Sequence, residues 1–191
     1  MGKTSVKAAV IAVVIVTIVG LGFGVPYNDL NSSKNDVDAQ WSQVENVMQR
    51  RMDLIPNLVN TVKGSMKHED KIFDDIAKSR QQYANATTNN DKLSADQKTN
   101  SNLSTLVTAI NENYPNLSSN DNVKTLMVQL EGSENRISVE RERYIQDVNT
   151  YNKKVTSFPA NLTAGALGFK KMANYQAETG ASVTPKVDLG E

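Results

Sequence analysis

Between Leu30 and Phe158 the chain repeats apolar residues at helical spacing, and this restricts it to helices packed on helices. From Leu30, steps of seven reach Val37, Val44, Arg51 and Leu58, and an interleaved row runs through Trp41, Met48, Ile55 and Val62. Side chains that recur about every 3.6 residues lie on one stripe of a helix, and an apolar stripe must be buried against a similar surface. A second helix is predicted from about His68 to Ala86, with Ile72, Ile76 and Tyr83 on one face. After the break at "TTNNDKLSAD", Ser94 and Gln97 read as the capping box of a third helix, which runs through Leu103, Leu106, Val107 and Ile110 and ends at Pro115. The fourth extends from about Asn120 to Phe158 in steps of four and three, through Val123, Met127, Leu130, Glu134, Ile137, Arg141, Tyr144, Val148, Tyr151 and Val155. No alternating strand pattern competes. The expectation is an all-α fold, an elongated antiparallel four-helix bundle of two long and two shorter helices over residues 27–169.

Ahead of the bundle, Ala8 to Val25 form 18 positions without a charge. That length covers most of a hydrocarbon core of about 30 Å, and the exit "GFGVPYND" offers no small-x-small cleavage site. The expectation is therefore one uncleaved N-terminal transmembrane helix over residues 8–25, with the lipid bilayer as its surroundings. Lys3 and Lys7 precede this stretch and Asp29 is the first charge after it, so the positive-inside rule makes residues 1–7 a cytoplasmic stub and sends the bulk of this single-pass chain outside. Gly20 and Gly24 are spaced as in helix pairs that meet through small residues, which leaves a homo-oligomer open.

Two charges interrupt the apolar rows, and their placement is complementary. In an antiparallel bundle whose first helix starts opposite the end of the fourth, facing residue numbers sum to about 185. Arg51 then faces Glu134, and Glu45 lies near Arg141. A lone buried charge is costly, so pairing is what such intrusions require, and the structural reading is an ion-pair ladder that fixes register. The other reading is an acid/base constellation in a cleft. Pro56 removes the hydrogen bond to the Met52 carbonyl and bends its helix, either as a plain kink or as a notch that a partner recognises.

Most catalytic chemistries lack their residues here. Cysteine is absent, which removes disulfides and thiolate sites. His68 is the only histidine, and "HEDKI" is not a zinc-hydrolase motif. There is no phosphate-cradling glycine loop, and 21 acidic residues balance 21 basic ones without a basic stripe, so no cofactor, metal or nucleic acid is expected. After the fourth helix, "PANLTAGALGF" is apolar but too short to cross a bilayer, and Lys170 and Lys171 follow it. Leu162, Leu167, Phe169 and the two lysines either touch the membrane interface or close the open end of the core. Residues 176–191 lack apolar periodicity and read as a mobile tail.

The blocks "RRMDLIPNLV" (Arg50 to Val59), "ENYPN" (Glu112 to Asn116) and "GSENRI" (Gly132 to Ile137) occur in an order and spacing that resemble the LemA family. Ser79 and Ile145 stand where that family pattern usually has alanine and asparagine. The resemblance implies an N-terminally anchored four-helix bundle outside the cytoplasmic membrane, with no established activity. Family members are often encoded beside a membrane zinc metalloprotease, which the resemblance implies as a functional partner. Among function classes, a scaffold or adaptor that binds another membrane or envelope protein comes first, a sensor subunit acting through a partner membrane protein second, and an enzyme last.

Overall fold

The computed structural model describes residues 3–173, and every regular element among them is helical. The elements are α1 (Lys3–Lys63), α2 (Asp70–Asn85), α3 (Asn89–Asn113), the single turn α4 (Pro115–Ser118), α5 (Asp121–Thr156) and a 3-10 turn at Ala160–Leu162. α1 and α5 are the long helices, and they pack on each other along most of the bundle. Their direction is set by the contacts: Asp29 meets Lys154, Trp41 packs against Tyr144 with ring centroids 5.2 Å apart and planes inclined by 59°, and Arg51 meets Glu134. Each step forward on α1 is a step back on α5. α2 and α3 form an antiparallel hairpin laid against that pair, and the Asn102 side chain ties it by donating to the Asp75 carbonyl at 2.9 Å.

The heptad rows become the core. Leu30, Val37, Val44, Met48, Ile55, Leu58 and Val62 of α1 are buried, as are Val123, Leu130, Ile137, Tyr144, Val148, Tyr151 and Val155 of α5. Each fully buried aliphatic side chain contributes about 1.5–3 kcal/mol relative to exposure. Phe158, the last member of the fourth-helix row, is 79% exposed because α5 ends at Thr156 and the chain turns away. The start of α3 also differs from expectation. Thr88 is its N-cap, accepting from the Asp91 amide at 3.1 Å, so helix begins earlier and Ser94 lies within it. Thr88 satisfies one free amide of the first turn, that of Asp91, and donates its hydroxyl to the Asp91 carboxylate at 2.7 Å, which is a cap without the reciprocal amide bond expected of the Ser94–Gln97 pair. Asn120 caps α5, its Oδ1 accepting from the amides of Asn122 and Val123 at 3.0 and 3.2 Å.

The transmembrane helix expected over residues 8–25 does not stand, because among the described residues no helix is long and apolar enough to cross a membrane. That stretch is not a separate element: it forms the opening turns of the 61-residue α1, which passes through Pro26 and Pro56 without ending. A proline removes one backbone bond and crowds one turn, and a helix whose neighbouring turns keep their own bonds continues through it with a bend. The apolar stretch thus belongs to a helix whose greater part is polar outside and packed in the bundle. The cytoplasmic stub and the orientation drawn from Lys3 and Lys7 rested on that span and lose its support. The tail expected over 176–191 lies outside the described residues.

Candidate functional site

The polar intrusions meet at the middle of the bundle. Arg51 is fully buried, and the two Nη groups of its guanidinium reach three residues from two other helices, while Nε has no hydrogen-bond partner among the described residues. Nη1 donates to the Glu134 carboxylate of α5 and, at 3.1 Å, to Asn100 Oδ1 of α3. Nη2 donates to the Asp96 carbonyl at 3.1 Å and is ion-paired with the Asp96 carboxylate. Arg141 of α5 reaches the second oxygen of that carboxylate at 3.2 Å. Asp96, fully buried itself, therefore sits between two guanidiniums. Burial pushes its carboxyl above the usual carboxylate range, the charges of Arg51 and Arg141 pull it back, and Glu134 raises it.

Asp96, Asn100 and Lys92 of α3 were not among the residues singled out from sequence. Glu45 is ion-paired with Lys92, and Arg141 with Asp96, so both take partners on the third helix. The signal for Asp96 was present: it stands seven residues before Leu103 and fourteen before Ile110, in the same kind of row that marked Arg51. Tyr83 of α2 completes the cluster. Its ring is buried with Lys92 Nζ 6.0 Å from the ring centroid, and its hydroxyl has no hydrogen-bond partner among the described residues. Burial, with the charges of Glu45 and Asp96, pushes the Tyr83 phenol up to about 12. The arrangement is a charge network that joins three helices at one level, which is how polar groups inside a bundle specify register. Pro56, half-buried, lies just beyond it between the buried Ile55 and Leu58.

The segment after α5 divides its roles. Phe169 is 8% exposed and meets the Tyr27 ring edge-on at 5.7 Å. The turn before it needs glycine, since Gly168 has φ +83°. Tyr151 donates to the Lys170 carbonyl at 3.0 Å, and Asn152 both donates to the Met172 carbonyl at 2.9 Å and accepts from its amide at 2.8 Å. Phe169 and the half-buried Leu167 therefore close the end of the core, while Leu162, Lys170 and Lys171 are exposed.

Three surface cavities have other linings. Two adjoin on the outer side of the α2–α3 hairpin, about 520 and 400 Å³, and share Lys78, Gln82 and Lys98. The third, about 290 Å³, lies on the α1–α5 pair between Val47, Arg50 and Leu54 on one side and Val128, Gly132 and Arg136 on the other.

The chain has relatives among known proteins. It is similar to magnetosome proteins MamQ 1 and MamQ 2 of Paramagnetospirillum magneticum, each 29% identical over 185 residues that cover 83% of this chain and 67% of the relative. It is also 28% identical to magnetosome protein MamQ of Magnetospirillum gryphiswaldense over the same shares. The family model of LemA matches residues 40–189, a stretch that holds the rows of α5, most of those of α1 and the charges Arg51, Asp96, Glu134 and Arg141, and the chain belongs to the LemA family.

Proposed function

We propose that this protein is a membrane-attached helical scaffold that binds another protein and catalyses no reaction itself. The observation that carries the reading is the N-terminal part of α1. Val10, Ile11, Val13, Val14, Phe23 and Val25 are 42–65% exposed there, ahead of the bundle. A large apolar surface left uncovered by its own chain marks attachment to lipid or to a partner. From Leu30 onward the same helix is one wall of a packed bundle, so what is attached at one end is presented at the other. The buried charges support a rigid body in place of a catalytic cleft, because each is spent on another inside the protein. Relatives named as magnetosome proteins are in keeping with a part in a cellular structure.

The test is proximity crosslinking of the full chain in native membranes. Recurrent adducts with one other envelope protein are the expected result. A ligand-dependent rise in melting temperature without such adducts would point to a sensor subunit, and turnover of a substrate would overturn the scaffold reading.

A further inference from the structure

Resting on the scaffold reading, we infer that the cavity between α1 and α5 is the docking notch for an acidic amphipathic helix of the partner protein. Its floor is Gly132, inside α5. A Cβ built there meets nothing within 4 Å, so nothing among the described residues requires glycine, although glycine weakens a helix interior. The missing side chain leaves the 290 Å³ hollow, walled by half-buried Val47 and Leu54 and by Val128, which is 67% exposed. Val128, Gly132, Arg136 and Val139 succeed one another in steps of four and three, which puts them on one face of α5. Val139 is 48% exposed and extends the apolar strip.

Charge decides the occupant. Arg50 and Arg136 line the notch, are exposed, and have no ion-pair partner among the described residues. A helix that seats one bulky apolar side chain over Gly132 and carries carboxylates a turn to either side meets both guanidiniums while its apolar face covers Val128 and Leu54. Anionic lipid would supply the same charge, but Arg50 stands about 37 Å along α1 from Val25, the end of the exposed apolar stretch, at 1.5 Å per residue. A lipid surface that holds that stretch reaches the notch only if α1 lies flat along it, and the hollow over Gly132 takes one bulky apolar side chain, which a partner helix carries and a headgroup layer does not.

The experiment places p-benzoylphenylalanine at Val128 and, separately, at Gln81 on the outer face of α2, in the full chain in native membranes. The expected result is a Val128 adduct with another protein, mapped by mass spectrometry to a helical segment in which an apolar residue is flanked by Asp or Glu. A synthetic peptide of that segment should bind the purified full chain, and Arg50→Glu with Arg136→Glu, or Gly132→Leu alone, should weaken it by about tenfold or more, with a melting temperature unchanged by the arginine pair and unchanged or raised by Gly132→Leu. Where the charge reversal unfolds the chain, Arg50→Gln with Arg136→Gln is read instead. A Val128 adduct with a second copy of the chain, with lipid alone, or with a peptide that binds all variants equally overturns the notch. Protein adducts from Gln81 but none from Val128 overturn the notch and leave the scaffold standing, whereas adducts from neither position sink both.

Discussion

At the level of single residues, the cluster around Arg51 is governed by which of its members can reach water. Asp96 is fully buried and is shared by Arg51 and Arg141, whereas the Glu134 side chain is 32% exposed. Removing the shared carboxylate strands two guanidiniums, so Asp96→Ala should cost about 3–5 kcal/mol. Glu134→Ala leaves Arg51 its Asp96 partner and should cost about 1 kcal/mol, nearer a partly exposed pair. Urea unfolding of both variants checks the order; equal losses would show that Asp96 is not the hub. Tyr83 makes a separate prediction. Its phenol is raised from 10.0 to about 12 in the folded protein, so between those values the unfolded chain releases a proton that the folded chain keeps. Stability attached to the neutral phenol is complete below the unfolded value and is lost as pH rises toward the folded one. Tyr83→Phe should flatten that alkaline decline. At neutral pH it should be neutral or stabilising by about 1 kcal/mol, because the buried hydroxyl it removes has no partner among the described residues. A steeper alkaline decline in the variant would contradict this.

At the level of elements, short local signals decide where helices start, and packing decides how the connecting segments lie. Thr88 and Asn120 start α3 and α5 through side-chain caps, while the return segment after α5 is held by Tyr151 and Asn152 to backbone atoms of Lys170 and Met172. Its apolar residues are therefore unequal. Phe169 fills the end of the core beside Tyr27, and Phe169→Ala should lower stability by about 3 kcal/mol, as for an aromatic core truncation. Leu162 is 72% exposed, and Leu162→Ala should change stability by less than about 0.5 kcal/mol. Melting temperatures of the two variants test the contrast, and a large loss at Leu162 would place it in the core as well.

At the level of the whole molecule, two antiparallel pairs, α1 with α5 and α2 with α3, are joined by one layer of charge within an apolar interior. The periodic rows determined the number and order of the long helices and the antiparallel register, because a stripe of buried side chains is a one-dimensional property of the chain. The facing of Arg51 and Glu134 was legible for the same reason: two long helices with fixed ends have a single offset. The third helix broke that arithmetic. Asp96 lies in a row seven residues before Leu103, but nothing along the chain states how far a hairpin slides on the pair it covers, so the assignment of Lys92 to Glu45 and of Asp96 to Arg141 was a tertiary decision. The role of the C-terminal apolar segment was open in sequence because lipid and core both accept apolar side chains, and only the Tyr27–Phe169 contact separated Phe169 from Leu162. Residues 8–25 show the converse. Their apolarity is plain in the sequence, but whether they stand alone or continue into the bundle depended on α1 running unbroken through Pro26, and a proline, which can either end a helix or only bend it, leaves that choice open along the chain.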